Sequence, residues 1–201
     1  MPTRWIIRLE TLLSIALVLG LLGALAALAA NAMIAFFDTP NGLGIPLRVY
    51  DVPTAGMAAQ GASVGDVTAE VIVRPDGAAP LAGLLYLLMW GPGAATALLA
   101  LLTLVRALRR ARSGDRALFS AVTAGHLRGL GWILIAGSLA SGVLGTAAEV
   151  ILSSMLLTEN YPIYQPSGLL PAGVVAGFAA LGVSEIVRRG LALLEEVEAT
   201  I

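Results

Sequence analysis

Four long apolar stretches, separated by polar segments, organise this chain of 201 residues. They cover residues 11–37, 81–105, 130–157 and 168–187. At about 1.5 Å of rise per residue, helices of these lengths reach or exceed the ~30 Å hydrocarbon core of a bilayer. The pattern therefore predicts an all-α integral membrane protein, a four-transmembrane-helix bundle that forms a single domain.

The first apolar stretch follows a short positively charged arm, residues 1–10. This start is also typical of a secretory signal peptide, which is the alternative to a first span. Because the apolar run exceeds the roughly 7–15 residues of a signal core, we expect a transmembrane helix instead.

Residues 38–80 form the one sizeable polar segment, and two stretches in it have strand patterns: 45–51 and 67–74. In the second, Val67, Val71 and Val73 share one side of a period-two alternation. A two-stranded ribbon alone is marginal in water. The segment is therefore either an ordered cap that leans on helix ends or on a partner, or an irregular loop.

Two breaks are expected in the helical pattern. Gly91-Pro92-Gly93 predicts a kink in the second stretch, because proline removes a helix hydrogen bond and crowds the preceding turn. Ser113-Gly114-Asp115 ends the following helix, and Asp115 is suited to cap a separate short helix that runs towards Gly125.

Basic residues predict the orientation. Residues 1–10, the loop 106–129 and Arg188-Arg189 hold ten of the twelve basic residues, whereas the segment 38–80 holds two. By the positive-inside rule, both termini and the loop 106–129 are cytoplasmic, and residues 38–80 are extracytoplasmic.

The composition, 58% hydrophobic and 12% charged, supports this class of protein. The formal net charge of −1 gives no reason to expect direct nucleic-acid binding. There is no cysteine and one histidine, which excludes disulfides, thiolate sites and a multi-histidine metal site. No catalytic triad, paired-carboxylate site or phosphate-cradling glycine loop is present. We therefore predict no enzyme activity, no cofactor and no metal.

Two carboxylates and the histidine are candidate functional residues. A charge at membrane depth is costly, so Glu149 is either a ligand or proton site or a structural residue near the outer boundary. Glu185 lies near the inner boundary, where helical spacing favours a pair with Arg188 or Arg189. His126, beside the basic loop, is expected to be a solvated interfacial residue.

Small residues recur at helical spacing and predict close packing between helices in lipid, or between copies or different chains in an oligomer. In the third stretch they are Gly137, Ser141 and Gly145, and in the fourth they are Gly173 and Gly177. The short connection over residues 158–167 predicts that the Gly145 face packs on the Gly173–Gly177 face.

The tail, residues 188–201, combines three glutamates with an apolar stripe at 3–4 spacing. Its acids complement the arginine-rich loop, so the two segments are predicted to form one cytoplasmic docking surface. The residues assigned to that surface are Arg109, Arg110, Arg112, Arg116, Leu191, Leu194 and Val197.

The second half, residues 106–201, resembles a known family. The motifs are Gly114-Asp115, Phe119, the run from His126 to Trp132, the run from Ser184 to Gly190, and the acidic end Leu194 to Ile201. They resemble the bacterial four-span family catalogued as domain of unknown function 2975. The resemblance implies a bacterial cytoplasmic membrane protein and, through members that neighbour a small helix-turn-helix regulator, a membrane-bound partner in a regulatory pair.

Three functions follow as hypotheses. The first is a membrane-anchored regulator or sensor that binds a cytosolic protein, such as a helix-turn-helix regulator, through the loop and tail. The second is a small transporter or channel subunit that uses Glu149 and the kinked second span. The third is a structural subunit of a larger membrane complex.

Overall fold

The computed structural model describes residues 3–37, 44–49, 69–112, 121–157 and 169–198, and most of them are helical. In chain order the elements are α1 (Thr3–Phe36), β1 (Ile45–Val49), β2 (Ala69–Val73), α2 (Pro80–Arg112), α3 (Ala121–Leu156) and α4 (Leu169–Glu198). Within the described part, three helical segments are long and apolar enough to cross a bilayer: Ile7–Phe36, Pro80–Arg110 and Val122–Leu156. The chain is therefore a helical membrane protein.

Two helices begin earlier than the sequence predicts. α1 starts at Thr3, so most of the basic arm belongs to the first helix. α3 starts at Ala121 and continues through Gly125, so the prediction of a separate short helix is wrong. Buried Ala124 and Leu130 lie on either side of this region. Such packing outweighs the ~1 kcal/mol that a helix-interior glycine costs.

Pro92 lies inside α2, which continues as one helix on both sides of it. The proline therefore does not divide the second apolar stretch into the two half-helices found at transporter binding sites.

The chain divides into two compact units. Unit 1 comprises Met1–Ala24, Gly93–Ala140 and Gly168–Ile201; unit 2 comprises Leu25–Pro92 and Ser141–Ser167. Each is described separately below.

Unit 2 contains an antiparallel two-stranded ribbon. β1 and β2 pair in the register Ile45↔Val73, Leu47↔Val71 and Val49↔Ala69, so these residues share one face. Val67 lies outside the described residues, and β1 and β2 fall within the stretches 45–51 and 67–74.

The β1 side of this face is buried among helix residues of unit 2. Ile45 and Leu47 join α1, α2 and α3 in one apolar cluster with Ile34, Ala82, Leu85, Ala148 and Leu152. Burial of this apolar face on helix ends supplies the stability that a two-stranded ribbon lacks by itself.

α1 and α2 also contact each other within unit 2. A Cβ on Gly83 would lie 2.7 Å from the Cβ of Ala35, so the two backbones approach closely there. The amide of Ala79 donates to the carbonyl of Ile34 over 3.4 Å. Gly77, with a φ of 79°, makes the turn between β2 and α2 in a conformation that favours glycine.

Candidate functional site

Within unit 1, α3 and α4 make a close contact through two glycines. A Cβ on Gly177 would lie 2.6 Å from Cγ1 of Ile135 and 2.8 Å from the carbonyl oxygen of Gly131. A Cβ on Gly131 would lie 2.8 Å from the carbonyl oxygen of Gly177. About two helical turns from these glycines, the buried Ser184 hydroxyl donates to the carbonyl of Ala124 over 2.8 Å. These contacts fix the spacing of the two helices.

A cleft of about 300 Å³ opens beside this contact. α3 contributes two side chains four residues apart, and α4 contributes four side chains at helical spacing, so each set lies on one helix face. The lining residues are Arg128, Trp132, Leu181, Ser184, Glu185 and Arg188. We call this set the α3–α4 cleft.

Glu185 forms the acidic centre of the cleft. Its carboxylate accepts hydrogen bonds from Nε and Nη2 of Arg188, both at 3.0 Å, and from Nε of Arg189 at 2.9 Å. The predicted pairing of Glu185 with these arginines is confirmed. The bidentate contact raises the pKa of Arg188, so this guanidinium stays charged.

Arg128 and Trp132 form the other side of the cleft. Trp132 is 56% exposed, and Arg128 is exposed as well. Among the described residues, Arg128 has no hydrogen-bond or ionic partner. With Arg188 and Arg189 opposed by the one carboxylate of Glu185, the cleft and its edge carry a surplus of positive charge.

His126 lies where the end of α2 meets the start of α3. It is half-buried, and its Nδ1 lies 2.7 Å from the carbonyl of Val122, while Nε2 lies 2.9 Å from Nη1 of Arg110. The contact joins the end of α2 to the start of α3.

The predicted docking surface is only partly described. Arg109 makes an ion pair with Glu10 of α1 at 3.3 Å, in which the Glu10 side chain is 15% exposed and that of Arg109 is 64% exposed. Arg109 and Arg110 therefore hold neighbouring helices in addition to any external role. Leu191 is half-buried on α4. Arg116 and the side chains of Arg112, Leu194 and Val197 lie outside the described part.

Glu149 lies in unit 2, half-buried on α3, directly after buried Ala148. Arg48 of β1 attracts its carboxylate electrostatically. The ribbon thus brings an opposite charge towards a residue whose position in an apolar helix is otherwise costly.

Asn31 ends a row of small residues at helical spacing in the first apolar stretch, Gly20, Ala24 and Ala27, a pattern that predicts contact with another helix. Its side chain is 6% exposed on α1, and Oδ1 has no hydrogen-bond partner among the described residues. An amide at this depth in a membrane helix suits contact between helices.

The small residues of α3 use a different partner from the one predicted. A Cβ on Gly137 would lie 2.8 Å from the Cβ of Thr96, and one on Gly145 would lie 3.3 Å from the carbonyl oxygen of Met89. Both neighbours belong to α2, so the predicted packing of the Gly145 face on α4 is wrong.

α4 packs instead on another face of α3. A Cβ on Gly173 would lie 3.1 Å from the Cβ of Ser138, and Gly177 contacts Ile135. α3 therefore has two tightly packed faces. The row of small residues Gly137, Ser141 and Gly145 lies on the face that contacts α2 at Gly137 and Gly145. Small residues four positions apart indicate a close helix–helix contact, but they do not identify which helix is the packing partner.

The α3–α4 cleft itself was missed by sequence reasoning, although both of its halves are visible there. Arg128 and Trp132 have i, i+4 spacing, and Leu181, Ser184, Glu185 and Arg188 follow i, i+3, i+4, i+7. Nothing in either helix alone shows that these two faces meet.

No protein-family model matches the chain, and no significant match is found among curated proteins or solved structures. The resemblance of the second half to the four-span family therefore stays a prediction. No group of three or more metal-ligating side chains occurs within the described ranges.

Proposed function

We propose that the chain crosses a bacterial cytoplasmic membrane four times, with both termini and the α2–α3 connection in the cytoplasm. A fourth span is supported by α4, because residues 169–184 carry no charged side chain. α4 has 30 residues, which corresponds to about 45 Å. It is therefore long enough to cross the hydrocarbon core and to continue into the cytoplasm.

In this proposal the protein is a membrane-anchored regulator or sensor that holds a cytosolic protein, such as a helix-turn-helix regulator, at the membrane. The observation that supports it is the composition of unit 1, which contains the arginine-rich end of α2, the start of α3 and α4 together. Because α4 runs unbroken to Glu198, the tail continues the helix that packs on α3. Loop and tail are then parts of one surface that a partner can bind.

The transporter hypothesis has less support. α2 is continuous through Pro92, so it does not form the broken helix that is found at transporter binding sites. The third hypothesis is a structural subunit. The pull-down experiment below distinguishes it from the regulator hypothesis, because the two predict that different proteins are retained.

Orientation is tested with single cysteines, since the chain has none of its own. Ala78→Cys, before α2, and Ala192→Cys, in the tail, are both at exposed positions. We expect an impermeant maleimide to label the first and not the second in intact cells, and to label both after lysis. Labelling of Ala192→Cys in intact cells would reverse the proposed orientation.

The docking surface is tested by truncation after Arg189, which keeps the Glu185 ion pairs. We expect the truncated protein to insert normally and to lose a soluble protein that the full chain retains in membrane pull-downs read by mass spectrometry. Leu191→Ser combined with Leu194→Ser should reproduce most of the loss, whereas Ala192→Ser on the same helix should not. Retention should also weaken with salt, because opposite charges guide the encounter.

If the full chain retains no soluble protein that the truncated chain loses, the regulator proposal fails. Retention of other membrane proteins by both forms would support the structural-subunit hypothesis instead.

A further inference from the structure

We infer that the α3–α4 cleft binds the phosphate headgroup of an anionic phospholipid from the cytoplasmic leaflet, with Arg128 as the main phosphate ligand. This goes beyond the proposed regulation by a cytosolic protein, and it rests on that proposal only for the side of the membrane at which the cleft lies.

The charges of the cleft favour a monoanionic phosphate group. Arg128 has no partner within the described residues, and its guanidinium offers a fork of donors that matches phosphate oxygens. On the opposite wall, Nε and Nη2 of Arg188 are bound to Glu185, so Nη1 remains as a donor. Glu185 in turn disfavours a ligand with several negative charges.

The size and the apolar lining favour a headgroup at a membrane boundary over a soluble ligand. About 300 Å³ is at the lower end of the volumes of ligand pockets and suits a headgroup without its acyl chains. Trp132 is an amphipathic side chain of the kind that is enriched at bilayer interfaces. Leu181 supplies an apolar wall.

Exposed apolar side chains continue from the cleft along both helices. Leu139 lies two turns beyond Trp132 on α3 and is 52% exposed, and Phe178 lies one turn before Leu181 on α4 and is 62% exposed. These surfaces can contact the acyl chains of the lipid whose phosphate occupies the cleft. Basic pockets between membrane helices at the cytoplasmic side are suited to such headgroups.

The test uses the full chain with Trp5→Phe and Trp90→Phe, so that Trp132 is the one remaining indole. The protein is placed in lipid nanodiscs with spin-labelled phosphatidylglycerol or spin-labelled phosphatidylcholine at equal mole fraction. We expect stronger quenching of Trp132 by the anionic lipid, equivalent to an about fivefold higher relative affinity. Both leaflets are accessible in a nanodisc, so this result does not depend on orientation in the cell.

The matched variants are Arg128→Gln and Arg106→Gln, which remove one positive charge each from the cytoplasmic side, the first in the cleft and the second on α2 outside it. Arg128→Gln should bring the ratio for the two lipids close to one, and Arg106→Gln should leave it near the original value. Circular dichroism checks that both variants keep their helices. If Arg128→Gln keeps the preference, or if Arg106→Gln loses it equally, the lipid site is overturned.

A soluble phosphate is tested as the other source of the same chemistry. Inorganic phosphate, compared with chloride at equal ionic strength, should not change the quenching ratio. If inorganic phosphate abolishes the preference while chloride does not, the cleft is a site for soluble phosphate and the inference fails. The tail-truncation experiment, which detects a protein partner, can fail or succeed independently of this result.

Discussion

Gly177→Ala is expected to destabilise the protein by about 1–3 kcal/mol, because overpacking a tight contact costs that much when neighbours must move. The new Cβ would lie 2.6 Å from Cγ1 of Ile135 and 2.8 Å from the carbonyl oxygen of Gly131. The carbonyl belongs to backbone and cannot rotate away as a side chain can. α4 must therefore move off α3, which also weakens the Ser184–Ala124 hydrogen bond.

The measurement is the unfolding free energy in mixed micelles titrated with sodium dodecyl sulfate. Gly182→Ala is the matched control, since a Cβ there meets no atom within 4 Å. Alanine also has the higher helix propensity, so this variant should be neutral or more stable by up to about 1 kcal/mol. Equal effects at Gly177 and Gly182 would contradict the close approach of α3 and α4.

A second large effect is expected for Leu152→Ala on α3. Leu152 is 0% exposed and shares the apolar cluster of unit 2 with Ile45 and Leu47 of β1. Truncating a buried leucine leaves a cavity and costs about 2–5 kcal/mol. Because β1 packs on this cluster, we expect the lost stability to include detachment of β1 from the helices. Trypsin should then cleave faster after Arg48.

Ile151→Ala provides the control in the adjacent position. Ile151 is 46% exposed, so its truncation removes a similar side chain without opening the same cavity. We expect little change in either unfolding or cleavage after Arg48. If cleavage after Arg48 is as slow in Leu152→Ala as in the control, the ribbon does not depend on this cluster.

The helices and strands were predicted better from the sequence than the contacts between them. The lengths of the apolar runs predicted helices that can span a bilayer, and three such helices occur in the described part of the chain. The i, i+3 and i, i+4 spacing predicted the pairing of Glu185 with Arg188 and Arg189. These features depend on residues close in the chain. The presence of the long helices and of local ion pairs is therefore accessible from periodicity alone, whereas the exact helix starts are not.

Contacts between helices were predicted less well, for a physical reason. The short connection between α3 and α4 correctly makes them neighbours, yet Gly145 faces Met89 of α2 and the partner of Gly177 is Ile135. A row of small residues fits any helix that presents a matching surface. The rotation of each helix about its axis, which decides the pairing and creates the cleft, is set by all of its contacts together.

The cluster beneath the ribbon has a consequence for the synthesis of the protein. Ile45 and Leu47 leave the ribosome long before Ala148 and Leu152, the α3 residues that share their cluster. At elongation rates of roughly 5–20 residues per second, the interval of about a hundred residues lasts on the order of 5–20 s. During that time the α3 part of the apolar cluster is absent, so Ile45 and Leu47 cannot complete their packing. Completion of the ribbon's packing is thus coupled to insertion of the third helix, which makes this segment a natural reporter of membrane integration.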